Sequence, residues 1–379
     1  MNIAIDARVI ERRISGIGRY LLGFLDWLTK IDKKNTYFLL CYDKGLKKYE
    51  KNGYKVINTG KNKFLPVKIY NLFWLNFILP KILNQYKIDI FWNPNHYLPL
   101  KKINTKKVIT IHDMAHKIDR NYKSFIYRVF YLDFLLPHSA KNTDIILTIS
   151  KNSKKDIEKY YRVSSNRIKI VYPAASNSFK PRHLEDLKII EIQKKYNLPQ
   201  NFILYVGNIE TRKNITGIIK IADIIANKKE FAKITKYKFV LVGGIGYSGS
   251  KRLIEEINKR KNIYYIPYVS EKDLPLIYNL AKVFLFPSFY EGFGLPVLEA
   301  MQSGVPVLTS NTSSLPEIVG EGGIMHNPND YIAFAEDVQK LVENENYYQL
   351  MQKKAQKEAE KFSWEKSTAK LVQIFNNLD

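Results

Sequence analysis

Two doubly wound α/β domains in tandem are what this sequence predicts, and three observations predict them. The chain has 379 residues, more than one hydrophobic core usually organises and enough for two. Short apolar runs rich in Ile and Val alternate with helical stretches along its length, the pattern of parallel strands joined by crossover helices. The alternation occurs twice, and a polar stretch between Pro173 and Asn201 separates the two rounds.

Taken in order, the first round offers strands at Asn2–Asp6, Tyr37–Tyr42, Lys55–Asn58, Asp89–Trp92, Lys107–Ile111, Asp144–Ile149 and Ile168–Tyr172. Most are unbroken apolar runs, as strands buried on both faces require. The second round offers Phe202–Val206, Lys238–Val242, Asn262–Ile266, Val283–Phe286, Val305–Thr309 and Gly323–Met325. Helical segments fall between them at Thr211–Asn227, Ser250–Lys259, Glu271–Ala281 and Pro296–Gln302, and residues 330–379 read as helical throughout. Ligands of such sheets bind beyond the carboxyl ends of the strands, so site residues are sought there.

Hydrophobic residues make up 45% of the chain, an ordinary globular share. The single cysteine, Cys41, excludes an internal disulfide framework and fits a reducing compartment. No zinc-type Cys/His spacing occurs, and no Asp-x-Asp pair of the kind that holds a divalent metal, so neither metal nor cofactor is expected. The N-terminus reads as a first strand and not as a signal peptide. No apolar run approaches the roughly 20 residues of a membrane span, which makes the cytoplasm the expected location.

The net charge of +24 is uneven. Residues 1–200 hold 38 Lys and Arg against 16 Asp and Glu, whereas residues 201–379 hold 22 against 20. The basic half is suited to a polyanion: an anionic membrane face, nucleic acid or an acidic glycan. A lysine-rich genome would raise both halves and explains the asymmetry poorly. Nucleic acid would call for a recognition motif, and none is present. Residues 61–86 and 122–136 interleave lysine or arginine with Phe, Tyr and Leu. That mixture suits a membrane surface or core packed on the first sheet. The two readings stand level for 61–86, and core leads for 122–136.

Residues 286–301 are the most informative. Glu291 and Glu299 stand eight positions apart, separated by a Gly292-Phe293-Gly294-Leu295-Pro296 turn, after an apolar strand and before a helix. The glycines let the backbone turn sharply and approach a ligand, and Pro296 suits a first helical turn. A helix start attracts anions, phosphate above all. Two carboxylates flanking a phosphate cradle fit a ligand with hydroxyls at both ends and a diphosphate between, as in a nucleotide sugar. The plainer alternative makes Glu291 a turn residue and Glu299 a surface charge; the coincidence of strand, glycines, proline and helix outweighs it. Arg212 and Lys213 follow the strand Phe202–Val206 and Gly207, where two cations would neutralise a diphosphate; a solvated basic pair reads equally well from spacing alone. Ser15-Gly16-Ile17-Gly18-Arg19 follows the first strand with Arg8, but a Gly-x-Gly is a weak signal. His112 and Asp113 end the strand Lys107–Ile111, with Asn95, His96 and His116 as weaker neighbours.

Glu291 to Glu299 resembles the E-x7-E signature of the retaining glycosyltransferases of family 4, which have the GT-B fold. Ser303–Val307, Ser313–Glu317 and Tyr205–Asn214 resemble the same family, so the likeness is specific in the second half and looser in the first. It implies two Rossmann-like domains facing a central cleft: 1–175 for the acceptor, 176–360 for the nucleotide sugar, and a helix at 361–379 that crosses back onto the first domain through Leu371, Val372, Ile374 and Phe375. It implies that Glu291 holds donor-sugar hydroxyls, Glu299 the ribose, and Arg212, Lys213 and the amides of Gly292, Phe293, Gly294 and Leu295 the diphosphate. Gly16, Gly18 and Gly207 would lie near the phosphates, and Gly243, Tyr268 and Val269 near the base. Arg19 and Asp113 would meet the acceptor and His112 the reacting sugar, though not as a general base, because these enzymes are thought to react on the donor's front face.

The reading that follows is a retaining, metal-independent hexosyltransferase, peripheral on the inner face of the cell membrane. Its expected donor is a nucleotide-diphosphate sugar, GDP-mannose first, since the Arg-Lys-Asn and Ser-Ser-Leu-Pro-Glu patterns resemble mannosyltransferase-type members. Its expected acceptor is a lipid-linked saccharide or cell-envelope glycan. A sugar-nucleotide epimerase of the same fold and a non-enzymatic polyanion-binding protein are the alternatives.

Overall fold

The computed structural model describes residues 1–11, 16–61, 64, 66–118, 128–182, 187–246 and 250–378. It divides into two compact units, one of residues 1–114, 123–173 and 363–379, the other of 115–122 and 174–362.

The first unit is built on a seven-stranded sheet of β1 (Asn2–Asp6), β2 (Thr36–Cys41), β3 (Lys55–Asn58), β4 (Ile90–Asn93), β5 (Lys106–Thr110), β6 (Ile145–Thr148) and β7 (Ile168–Ile170) in the order β3-β2-β1-β4-β5-β6-β7. Every pairing is parallel. The second unit carries six strands, β8 (Phe202–Val206), β9 (Lys238–Val242), β10 (Ile263–Ile266), β11 (Val283–Phe286), β12 (Val307–Ser310) and β13 (Gly323–His326), ordered β10-β9-β8-β11-β12-β13 and also parallel. Phe202–Val206 and Val283–Phe286 are buried at every position, which is why they read as unbroken apolar runs. Each sheet reverses its winding once, between β1 and β4 and between β8 and β11. Side chains from the two winding directions meet beyond the strand ends at these switch points.

Several elements depart from the sequence expectation. The stretch 211–227 is not one helix: a 3-10 turn, Thr211–Lys213, ends at Asn214 in the left-handed region (φ 55°), and the helix proper is Ile215–Asn227. Asn214 tolerates that conformation and caps the new helix, accepting the Gly217 N–H at 3.0 Å. Gly16 and Gly18 belong to the first turn of the helix Gly16–Leu25; Ser15 lies outside the described residues. The strand expected from Val305 starts at Val307, after Pro306, which has no N–H to donate. The tail forms three helices, Tyr331–Glu343, Glu345–Ala359 and Trp364–Asn376, each started by a side-chain cap from Asp330, Asn344 or Ser363.

The last helix lies in the first unit. Leu371 and Phe375 are fully buried there, Val372 and Ile374 partly, and each full burial contributes about 1.5–3 kcal/mol. Trp364 packs edge-on to Phe24 at 5.2 Å, over Gly23, where an added Cβ would come within 2.3 Å of the indole. Residues 61–86 are both core and surface. Tyr70, Trp74, Leu75, Leu79, Ile82 and Leu83 are buried, while Ile69, Phe73 and Phe77 are exposed, as is Phe64 at 96%. In Arg128–Leu135, Leu132 and Leu135 face inward, whereas Val129, Phe130 and Phe134 face solvent; residues 119–127 of that region lie outside the described set. No helix among the described residues is long and apolar enough to cross a membrane.

Candidate active site

The second sheet's switch point brings four ionised side chains together. Beyond β8, Gly207 turns at φ 156° and Glu210, Arg212 and Lys213 follow. Beyond β11, Pro287–Gly294 carries Ser288 and Glu291. Lys213 Nζ donates to both oxygens of Glu291, at 2.6 and 2.7 Å. Arg212 Nη2 donates to Glu210 Oε1 at 2.7 Å, and its Nη1 to the Tyr290 carbonyl at 2.5 Å and Glu291 Oε2 at 3.5 Å. All four side chains are largely buried. Burial alone would raise the Glu291 pKa, but the charges of Lys213 and Arg212, with hydrogen bonds from Lys213 and Ser288, hold it below the usual glutamate value. Burying a carboxylate costs several kcal/mol (about that scale per ion) unless it is paired, so Glu291 and its two cations depend on one another.

A second layer fixes this cluster. Ser288 Oγ donates to Glu291 Oε1 at 2.7 Å. The Glu291 N–H donates to Ser313 Oγ at 2.9 Å, and Ser314 Oγ donates to the Glu291 and Phe293 carbonyls at 3.0 and 2.6 Å. Asn214 Nδ2 donates to the carbonyls of Pro287 and Pro328 at 3.0 and 2.7 Å, clamping the loop after β11 to the start of Ile215–Asn227. Asn214 and Ser313 are two of the six non-glycine residues at positive φ among those described, and backbone strain of this kind gathers at functional sites. Tyr205 lies under the cluster, stacked on Phe286 at 5.6 Å. Burial pushes its phenol far above the ordinary tyrosine value, with Glu291 and Glu210 adding to the shift.

Gly294 sits at φ 115° and opens the helix Leu295–Gln302, whose first turn has Pro296 and no side-chain cap. Its Cβ would stand 2.8 Å from Leu315 Cδ2, so two reasons require glycine. Gly292 and Phe293 are buried in the turn. Glu299 points inward, 4% exposed, and accepts from Tyr278 OH at 2.9 Å. Gly243 turns at φ 149° beside Gly207, and any Cβ there would come within 2.0 Å of the Gly207 carbonyl. Tyr268 is well exposed and Val269 buried, beyond β10.

The first unit carries the remaining candidates. His112, beyond β5, has Nε2 3.0 Å from the Pro94 carbonyl; a carbonyl can only accept, so this nitrogen carries the proton. Burial lowers the His112 pKa, with the Pro94 contact and Asp113 opposing the shift. Tyr20 packs edge-on to the ring at 4.9 Å. His112 thus tethers the loop after β4. Asp113 is half-buried at the same strand end, and Arg19 is exposed on the helix Gly16–Leu25. Arg8 binds Asp6 through Nε at 2.8 Å and Nη2 at 2.6 Å.

Sequence reasoning did not single out Glu210, Ser288, Tyr205, Tyr278 or Asn214. Glu210 stands two positions before Arg212 and Ser288 three before Glu291; an acidic or hydroxyl residue beside a candidate ion is the signal that could have found them.

The family described as Glycosyltransferase Family 4 matches residues 14–176, and the family described as Glycosyl transferases group 1 matches residues 188–358. O-antigen chain mannosyltransferase B of Escherichia coli is 30% identical over 395 aligned positions that cover all of both chains. O-antigen chain mannosyltransferase RfbU of Salmonella typhimurium is 30% identical over 83% of this chain and 84% of its own. Among solved structures, HepE of Anabaena, in complex with UDP and glucose, shares the fold with a TM-score of 0.72 at 14% identity over 99% of each chain. With two parallel Rossmann-like sheets and both halves matched, this chain belongs to glycosyltransferase family 4 and has the GT-B fold.

Proposed function

We propose that this glycosyltransferase moves a mannosyl group from GDP-mannose to a lipid-linked saccharide of a cell-envelope glycan, with retention at the anomeric carbon and without a metal ion. The observation that carries the donor half is the buried Lys213–Glu291–Arg212 cluster beside an uncapped helix start at the second switch point. Lys213 and Arg212 would meet the diphosphate, and the carboxylate between them would take donor-sugar hydroxyls while staying ionised. Glu299, held by Tyr278, would take the ribose. In transfer the bond from the anomeric carbon to the diphosphate oxygen breaks and a bond to an acceptor hydroxyl oxygen forms. The hydroxyl proton leaves with the departing diphosphate, whose charge the two cations and the helix start stabilise. The choice of mannose and of a cell-envelope glycan is supported by likeness to O-antigen chain mannosyltransferases, over the whole chain for one and 83% of it for the other.

The first unit supports a cytoplasmic enzyme working at an anionic membrane face. Phe73 and Phe77 stack at 5.1 Å on the solvent side of their helix, and Lys101 lies 4.3 Å over the Phe77 ring. Phe130 and Phe134 are exposed nearby in sequence to Arg128. Exposed aromatics with basic neighbours suit a lipid surface. Co-sedimentation of Phe73→Ser/Phe77→Ser with phosphatidylglycerol vesicles tests this; unchanged binding removes these residues from the membrane contact.

The donor reading is tested by thermal shift with GDP, UDP, ADP and dTDP on wild type and Glu299→Ala, followed by radiolabel transfer from the nucleotide sugar that stabilises best. Stabilisation by GDP, reduced in the variant, is the expected result. No stabilisation by any of the four overturns the donor site, and a UDP preference overturns GDP-mannose alone.

A further inference from the structure

Arg212 is shared between two carboxylates, and the one nearer in sequence has no part in the donor contacts proposed above. Glu210 Oε1 accepts from Arg212 Nη2 at 2.7 Å, whereas Glu291 Oε2 stands 3.5 Å from Nη1. Lys213 is met by both oxygens of Glu291. Two carboxylates thus balance two cations, and Glu210 takes the larger share of Arg212. The first unit has an ion pair of the same spacing, and that one is sealed. Asp6 and Arg8 are joined by hydrogen bonds at 2.8 and 2.6 Å, with side chains 5% and 11% exposed. The Arg8 guanidinium lies 3.5 Å over the Trp74 ring, with Nη1 2.5 Å from Tyr42 OH. Arg212 is instead spread over two loops, since Nη1 also reaches the Tyr290 carbonyl at 2.5 Å.

Glu210 is a fixed charge. Its extended backbone starts the 3-10 turn Thr211–Lys213, and its carbonyl accepts the Lys213 N–H at 3.1 Å. The residue before it, Ile209, is tied to the loop after β9. The Ile209 N–H donates to the Gly244 carbonyl at 2.9 Å, and its carbonyl accepts from the Gly246 N–H at 3.0 Å and from Ser250 Oγ at 2.7 Å. The Glu210 side chain lies against Gly246, where an added Cβ would come within 2.8 Å of Oε2. At 4% exposure the carboxylate is penned beside Arg212, in surroundings where a charge acts more strongly than it does in water.

The diphosphate of a nucleotide sugar is esterified at both ends and carries one charge on each phosphate. When the bond to the anomeric carbon breaks, the acceptor's proton goes to the departing oxygen, so the charge does not rise at that moment. Once that proton passes to water, the terminal phosphate is a monoester with a second pKa of about 6, and it carries roughly −1.5 to −2 at neutral pH. The product is therefore the more negative ligand. Two cations without a counter-charge would hold it more tightly than the substrate and stall turnover.

We infer that Glu210 prevents this: it takes up Arg212 and repels the second charge of the terminal phosphate, which weakens binding of the released nucleoside diphosphate and leaves the nucleotide sugar little affected. Glu210 is a positioning residue, acting through Arg212. The inference rests on the donor reading above and goes beyond it by giving that site a device for product release.

The test is isothermal titration calorimetry on the full-length protein with GDP and GDP-mannose, and with UDP and UDP-glucose, from pH 5.5 to pH 7.5. It is run on wild type, Glu210→Gln and Glu210→Asp. Gln keeps the shape and an acceptor for Arg212 but removes the charge; Asp keeps the charge. For the pair that wild type binds, Glu210→Gln is expected to bind the diphosphate roughly 5–10-fold tighter at pH 7.5 and the nucleotide sugar within about twofold of wild type. Glu210→Asp is expected to keep the wild-type ratio. A residue that only braced the loop would weaken both ligands when altered. Of the groups about Glu210, Arg212 stays charged, Glu291 is held ionised and the Tyr205 phenol neutral, so pH dependence in that range belongs to the phosphate. In wild type the diphosphate is expected to gain on the nucleotide sugar as pH falls and the terminal phosphate takes a proton, a readout that needs no variant. An unchanged ratio or a weaker diphosphate in Glu210→Gln, or no gain at low pH in wild type, overturns the role of Glu210 alone. No binding of either pair to wild type overturns the donor reading, and this inference falls with it.

Discussion

The two switch points of this protein are built on the same topology and hold opposite chemistry. In the second sheet, Lys213 and Arg212 beyond β8 face Glu291 beyond β11 across the reversal. In the first, Arg8, in the 3-10 turn just after β1, faces Asp6 at the end of that strand, and β4 and the loop after it contribute the amides of Asn93 and Asn95. An ion pair that spans two strands' loops can be shared with an incoming ligand. One closed within three residues, under an indole, is spent on the protein itself. Position relative to the sheet says where a ligand binds; how the charges are wired says which kind.

The sharpest way to break this comparison is to remove one cation from each site. Lys213→Ala strips Glu291 of its main partner in a buried setting. It is expected to lower transfer by ~10²–10³-fold, the scale for losing one preorganised charge-stabilising donor, and to abolish the nucleotide-dependent thermal shift. Arg8→Met is expected to lower the melting temperature, because Asp6 is left buried and unpaired at a cost of ~3–5 kcal/mol, while the GDP shift survives. If Arg8→Met abolished the GDP shift and Lys213→Ala spared it, the assignment of the two sites would be reversed.

Acid titration separates the sites next. The folded pKa of Glu291 is depressed by its cations despite burial. Its pairing therefore stabilises the protein above the ordinary carboxylate pKa of 4.5 and is lost as pH falls through the lower folded value. Melting temperature measured from pH 7 down to pH 3 is expected to fall less steeply below 4.5 in Glu291→Gln than in wild type. Equal slopes would mean that Glu291 is not held by Lys213 and Arg212 in solution.

Tyr278→Phe makes a smaller change. It keeps the buried ring and removes only the hydroxyl that donates to Glu299 at 2.9 Å. Loss of one side-chain hydrogen bond costs about 0.5–1.5 kcal/mol, so nucleotide affinity by calorimetry is expected to weaken by up to about tenfold while the fold is retained. Unchanged affinity would remove Tyr278 as a positioning residue.

What was legible in the sequence follows from what each pattern encodes. The strands buried on both faces announced themselves as apolar runs: Phe202–Val206, Lys238–Val242 and Val283–Phe286 have the bounds expected for them. Periodicity could not see the break at Asn214, because a left-handed cap leaves the apolar spacing of 215–227 intact. The glutamate loop was legible because glycine and proline mark backbone geometry directly. The wiring of its charges was not, since Lys213 and Glu291 meet across 78 positions and only the strand order brings them together. The first switch point was least legible. Asn71, Asn95 and Tyr131, which line it, come from three separate segments and carry no motif, and Arg8 stood beside a Gly-x-Gly that turned out to open a helix.

The smallest expected effect concerns His112, which meets the loop Asn93–Tyr97 through the Pro94 carbonyl and an edge-on contact with the His96 ring. Burial holds its pKa below the ordinary 6.5, so the folded protein keeps the imidazole neutral where the unfolded chain would protonate it. The sign is therefore that stability is full above 6.5 and declines as pH falls below it, toward the lower folded pKa. His112→Gln keeps a donor that can reach the Pro94 carbonyl and cannot titrate. Its melting temperature is expected to change less between pH 7 and pH 5.5 than that of wild type, with the GDP shift intact. A steeper pH dependence in the variant would show that His112 is charged in the folded state. That outcome would place a cation next to the loop Asn93–Tyr97, beside the closed Asp6–Arg8 pair, and would cost the first switch point the contrast that sets it apart from the second.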